Sequence, residues 1–139
     1  MKVENLILEI QTEGENDIID LTHQIEQFVK SSQITDGLLN VSVPGSTGAI
    51  ITTEFERGLI EDNKKMINEL IPKGIGYKHD QIDNNAHSHL RASILGSEKT
   101  FSVIGKDIMI GIWQQIVFFE CDVHPRSRRV VLQLIGVEK

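Results

Sequence analysis

Cysteine is nearly absent: Cys121 is the only one among 139 residues, so no intrachain disulfide can form. That usage suits a reducing compartment. Cys121 follows the apolar run Ile116–Phe119 with no base beside it, which reads as a small buried hydrophobe rather than a nucleophile. No apolar run approaches the ~20 residues needed to span a bilayer. The opening residues Met1 to Asn5 lack the apolar stretch of a signal peptide, and a cytoplasmic location is expected. Positive charge is also scarce, with 14 Lys and Arg against 20 Asp and Glu, a formal net charge of −6. Nucleic-acid binding needs clustered cations and is not expected. The one basic cluster, Arg126-Ser127-Arg128-Arg129, is long enough to hold one anionic group of a ligand. Repeats, linkers and low-complexity tracts are missing as well, and the length suits one domain over 1–139.

What is present patterns as α+β. Residues 4–12 alternate as a strand, with Ile7 blurring the alternation. Asp20 is placed as an N-cap for a helix whose Leu21, Ile25, Phe28 and Val29 share one face, ending near Ser32. Thr35-Asp36-Gly37 signals a turn. Strands over 38–43 and 49–53 flank the loop Pro44-Gly45-Ser46-Thr47-Gly48, and a helix over 59–70 stops at Pro72. An irregular polar stretch over 77–85 leads to a third helix over 84–95, with Asp83 as its cap. Gly105-Lys106 signals a tight hairpin between strands 100–104 and 107–110. Strands 115–123 and 129–137 read as a longer hairpin about His124 to Ser127. Ile116 to Phe119 is apolar on both faces, which calls either for a sheet covered on both sides or for a subunit interface.

His79, His87 and His89 fall within eleven residues and are the candidate proton carriers or metal ligands. On a regular helix His87 and His89 point about 200° apart, so they cannot share one metal there. The better metal pairing is His79 with either His87 or His89, and His79 with His87 is the set carried forward. Asp80 and Asp83 are nearby supporting carboxylates. Capping and packing without a metal accounts for these histidines equally well. The loop residues Ser46 and Thr47 offer hydroxyls between glycines, a setting for a phosphate or carboxylate, although the P-loop lysine is missing. Glu120 and Asp122 lie two apart on a strand and face one way. Arg126 and Arg128 are placed to pair with them, either as a structural ion-pair network or as arginines aimed at an anion. Trp113 and Gln114 suit stacking and hydrogen bonding to a ring, or a core position beside exposed amides.

Taken together, several segments resemble the YjbQ family from about residue 35 to 136. They include Thr35-Asp36-Gly37-Leu38, Gly58-Leu59-Ile60-Glu61-Asp62 and Tyr77-Lys78-His79-Asp80. Asn85-Ala86-His87-Ser88-His89-Leu90, Gly111-Ile112-Trp113-Gln114-Gln115, Glu120-Cys121-Asp122 and Pro125-Arg126-Ser127-Arg128-Arg129 complete the match. The resemblance implies β-sheets packed with two or three helices, and a homotrimer. It implies a site where the histidine, Trp-Gln and arginine segments converge, and for some members a secondary thiamine-phosphate synthase activity. That reaction joins a pyrimidine diphosphate to a thiazole phosphate and needs cations for the diphosphate. Many members carry a histidine where this chain has Gly45, so a role carried by that histidine is missing here. The leading expectation is a transferase or metal-assisted enzyme acting on a phosphorylated substrate, with Ser46, Thr47, Trp113, Gln114, Glu120, Arg126 and Arg128 contacting it. The cofactor is unnamed, a divalent ion (Zn²⁺, Mn²⁺ or Mg²⁺) being the one these residue types accept. The alternatives are a non-catalytic module for a small anionic metabolite or metal ion, and a purely structural trimer.

Overall fold

The structure is a computed structural model and describes all 139 residues, Met1–Lys139. Eight strands form two antiparallel sheets. β1 (Lys2–Gln11), β8 (Ser127–Val137), β3 (Asp36–Ser42), β5 (Glu98–Ile104) and β6 (Asp107–Ile108) make a five-stranded sheet in that order. β2 (Ile18–Asp20), β7 (Gln115–Glu120) and β4 (Gly48–Thr53) make a three-stranded sheet. The helices are α1 (Thr22–Ser31), α2 (Arg57–Leu70) and α3 (Ala86–Leu95), with a 3₁₀ turn at Lys78–Gln81.

The alternating side chains of each strand divide the apolar residues between two cores. Leu39, Val41, Phe101, Leu132 and Leu134 of the large sheet meet Ile50, Ile116 and Phe118 of the small one, with Leu21, Ile25 and Val29 from the α1 segment closing the side. The opposite face of the small sheet presents Ala49, Val117 and Phe119, with Cys121 just beyond β7, to Ile67 of α2 and Ala92 of α3. β7 is therefore covered on both faces within one chain, which explains its continuous apolar run. Each Val, Leu, Ile or Phe among them contributes roughly 1.5–3 kcal/mol by leaving water.

Local chemistry sets most boundaries. Asp20 ends β2 rather than starting the helix, and Leu21 takes the N-cap position. The Asp20 carboxylate nonetheless accepts from Thr22 N and Oγ1, at 3.0 and 2.7 Å, so it does the work of a cap from one residue upstream. Glu56 caps α2 by accepting from Gly58 N and Leu59 N. Asp83 does not cap α3: Asp80 accepts from Ala86 N at 3.1 Å, because the 3₁₀ turn swings it over the helix start. Gly105 and Lys106 both have positive φ, 58° and 65°, as a type I′ hairpin turn requires.

The expected hairpin of β7 with β8 is not formed. The two strands lie in different sheets, and the loop between them crosses from the small sheet to the large one. The loop from β3 to β4 makes the reverse crossing. β7 is buried on both faces and pairs with β2 and β4 under the two helices, whereas β8 has one buried face and pairs with β1 and β3.

Gly37 of β3 and Gly136 of β8 oppose each other directly. A Cβ on Gly37 would stand 2.1 Å from the Ile135 carbonyl oxygen, and neither backbone can yield without breaking the ladder. Gly37→Ala is expected to destabilise the fold by about 1–3 kcal/mol, read as a lower urea midpoint. An unchanged midpoint would contradict this close approach.

Candidate functional site

Both sheet-crossing loops lie at one end of the sandwich, and the turn over 13–17 joins them there. Glu120, at the end of β7, is completely buried. Arg128 at the start of β8 reaches across the gap between sheets. Its Nε donates to Glu120 Oε1 at 2.9 Å and its Nη2 to Glu120 Oε2. Nη2 also donates to Thr47 Oγ1 at 2.9 Å and to the Thr47 carbonyl at 3.2 Å. Thr12 Oγ1 donates to Glu120 Oε1 at 2.8 Å and Asp122 N to Oε2 at 3.1 Å, so the buried carboxylate is fully partnered. The guanidinium also lies over the Phe118 ring, 5.7 Å from its centroid. Next to this pair, Arg126 Nε donates to Asp122 Oδ2 at 2.7 Å, with the arginine half-exposed and the aspartate buried. Glu120 and Arg128, expected against a ligand, are thus engaged with each other, and Arg126 holds Asp122.

The histidines separate into two groups. His79 and His89 touch edge to face, 5.0 Å between ring centroids, and His79 Nε2 is 3.1 Å from Asn85 Oδ1. With Tyr77, Ala86 and Leu90 they line a cavity of about 490 Å³. His87 turns the other way, as its place two residues from His89 on a regular helix requires, and is 2% exposed. Its Nε2 is 2.6 Å from Glu15 Oε1. Lys73 Nζ reaches Glu15 Oε2 at 2.9 Å, and Arg91 Nη1 lies 3.9 Å from Oε1. His87 borders a cavity of about 430 Å³ with Lys73, Gly74, Asp80, Asn84 and Val123.

His79 and His87, the expected metal pair, stand in different groups: His79 against His89, and His87 against Glu15. No three His, Cys, Asp or Glu side chains are grouped so as to hold a metal ion.

Electrostatics sharpens the His87 group. Burial tends to raise the Glu15 carboxyl, but hydrogen bonds from Lys73 and His87 outweigh it and hold Glu15 below its ordinary 4.5. Glu15 is then an ionised acceptor at neutral pH, so Nε2 of His87 must carry the proton between them. Nδ1 is the ring atom that Glu15 leaves free. It is buried and has no partner, as is Ser88 Oγ. Burial likewise works to raise Asp122, and the Arg126 hydrogen bond, the Val123 N–H and the charges of Arg126 and Arg128 hold it below 3.8. The Cys121 thiol is pushed up to about 12, chiefly by burial, and is no nucleophile at neutral pH.

Both carboxylates favour the folded state through their depressed values. Their contribution is complete above about pH 4.5 and is lost as pH falls through the folded-state values. Unfolding free energy measured by urea is expected to fall between pH 5 and pH 3, and to fall less steeply in Asp122→Asn. An equal fall in both proteins would contradict this role for Asp122.

Trp113 and Gln114 lie elsewhere. They precede β7, while the histidine and arginine groups lie about its far end, roughly 20 Å along six residues of strand. Trp113 is 68% exposed rather than in a core, and Gln114 accepts from Gly111 N at 3.0 Å. Ser46 is exposed on the crossing loop and Thr47 is buried against Arg128.

The model of the family described as "UPF0047 protein YjbQ-like" matches residues 7–137. The chain belongs to the YjbQ family. Curated relatives within it include a UPF0047 protein of Archaeoglobus fulgidus, 41% identical over 92% of this chain and 98% of the relative. Another, from Methanothermobacter thermautotrophicus, is 39% identical over 98% of this chain and 94% of its own. Among solved structures, a YbjQ-like protein of unknown function from Sulfolobus solfataricus superposes with a TM-score of 0.89 at 34% identity, covering 98% of this chain and all of that one. A hypothetical protein from Aeropyrum pernix gives 0.90 at 36% identity, over 96% of this chain and 99% of its own. The α+β architecture with three helices is thus that of the YjbQ structures.

Glu15, Lys73 and Arg91 escape sequence reasoning. Glu15 reads as a turn residue and Lys73 as part of a helix break. The one available signal is that Arg91 follows His87 by four positions and so shares its helix face.

Proposed function

We propose that this YjbQ-family chain is a small acid–base enzyme acting on an anionic, phosphorylated molecule, with His87 as the proton carrier. One observation carries the reading: Glu15 holds His87 through Nε2 at 2.6 Å and leaves Nδ1 buried without a partner, on a residue that borders a cavity. A carboxylate that fixes the ring's proton on one nitrogen orients the other for proton transfer. Lys73, largely exposed at the same cavity, supplies the cation for a phosphate. His79 and His89 line their own cavity on the other side of α3, apart from the His87 step.

The finer form of this proposal is thiamine-phosphate synthase-type transfer. Its diphosphate would rest on Lys73 and the half-exposed Arg126, since Arg128 is engaged by Glu120. The test incubates the protein with the pyrimidine diphosphate and the thiazole phosphate, following pyrophosphate release by phosphorus NMR and the melting temperature with each compound. Pyrophosphate release and a raised melting temperature are expected; no thermal shift with any phosphorylated heterocycle would sink the proposal. Binding without turnover selects a non-catalytic module for an anionic metabolite, a reading favoured by the unreactive Cys121.

The proposal places the enzyme in the cytoplasm, consistent with its single cysteine and with the absence of any helix long and apolar enough to cross a membrane. It also makes the chain a homotrimer. On the outer face of the large sheet Val3, Ile135 and Leu38 stand side by side across β1, β8 and β3, and with Ile7 they are 43–53% exposed. Sedimentation is expected to give three copies for the parent and one folded copy for Leu38→Asp/Ile135→Asp. A single-copy mass for the parent would contradict this.

A further inference from the structure

We infer that the loop from β3 to β4 forms, with Arg128, a separate binding site for an oxyanion group of a small molecule. Nε and Nη2 of Arg128 are taken up by Glu120 and Thr47, whereas Nη1 makes no hydrogen bond in the chain. Arg128 is only 9% exposed, but Nη1 is not among the chain's buried unpartnered atoms, so it is the donor of this arginine that an incoming group can reach. It faces the loop: a Cβ on Gly45 would stand 3.5 Å from Nη1. The missing side chain at Gly45 leaves that approach open.

The loop adds donors of its own. The N–H groups of Gly45, Ser46 and Thr47 have no backbone acceptor. Gly45 has a φ of +119°, which lets the backbone turn in a way that side-chain-bearing residues resist. Successive free N–H groups in such a turn attract anions. A cavity of about 140 Å³ opens beside the loop, lined by Gly45, Ser46, Gly48, Ala92, Ser93 and Ser97, with Arg128 adjoining Gly45 outside that lining. Its wall is thus glycine, alanine and hydroxyl groups, with no carboxylate. Glu120 neutralises Arg128 from the far side, and Nη1 and the loop amides remain for an incoming oxyanion. The site is distinct from the His87 cavity: Ser93 follows His87 by six residues, about 9 Å along α3.

The test is a proton–nitrogen NMR titration with inorganic phosphate, and in a second arm acetate, each against chloride at equal ionic strength. Saturable shifts are expected at the Gly45, Ser46 and Thr47 amides. Saturation by phosphate alone names a phosphate as the group, by acetate alone a carboxylate, and saturation by neither overturns the site. Ser93→Glu puts a negative charge in the cavity from an exposed helix position and is expected to weaken binding at least roughly tenfold. Ser97→Glu, also exposed, does the same from the other wall. Binding by both variants as tight as the parent's would overturn the assignment. His87→Gln is expected to leave the loop shifts intact, and their loss in that variant would move the anion to the histidine cavity and overturn it as well.

Discussion

Replacing Glu120 by alanine is expected to cost about 3–5 kcal/mol of stability, the largest effect of any single change at the sheet crossings. The carboxylate is wholly buried and accepts from Arg128, Thr12 and Asp122. Without it the Arg128 guanidinium keeps its charge in an interior that gives it only Thr47 and the face of Phe118. Because β7 and β8 belong to different sheets, their crossing has no backbone ladder of its own. The Glu120–Arg128–Thr47 bonds link the two crossing loops, together with Cys121 N to the Thr47 carbonyl at 3.0 Å and Thr47 Oγ1 to Asp122 Oδ2 at 3.4 Å. Glu120→Leu combined with Arg128→Met removes both charges and is expected to be less damaging than Glu120→Ala alone. Urea unfolding of the single and double variants checks this. A double variant worse than the single one would mean that the arginine, rather than the charge pair, holds the crossing.

His87→Gln is expected to lower turnover of the phosphorylated substrate by roughly 10²–10⁴-fold, the range for losing a positioned proton carrier. Glu15→Gln should also lower it while leaving His87 in place, since an amide can present either an oxygen or N–H groups to Nε2 and no longer fixes which ring nitrogen carries the proton. Glu15 acts through His87 and is a positioning residue. Its variant should therefore change the pH profile of turnover as well as its height, which a merely structural role would not. Cys121→Ser is expected to be indifferent, given a thiol pushed up to about 12. Full turnover in His87→Gln would end the acid–base reading and leave the anion-binding module in its place.

Features carried by local chemistry were legible from the residues alone. Gly105-Lys106 announces its hairpin because both residues sit at positive φ, and the face of α1 follows from the spacing of Leu21, Ile25 and Val29. Ile116 to Phe119, apolar on both faces, pointed either to a sheet covered on both sides or to a subunit interface, and the helices packed over β7 supply the first. Features decided by tertiary partners were not legible. That β7 and β8 enter different sheets depends on which faces the helices cover, so two adjacent apolar strands looked like a hairpin. Asp80 displaces Asp83 as the α3 cap only because a 3₁₀ turn precedes the helix. Ion pairing of Glu120 and Asp122 with Arg128 and Arg126 could be anticipated from spacing, but the choice between a structural network and a ligand site could not. Glu15 meets His87 from 72 positions away, and no local pattern marks that contact.

The most direct test of the central claim is nitrogen NMR of the His87 ring, free and with the thiazole phosphate added. The account predicts a proton on Nε2, shared with Glu15, and an Nδ1 signal that moves as ligand binds. A proton on Nδ1 with a bare Nε2, or an Nδ1 signal that ignores the ligand, would contradict it.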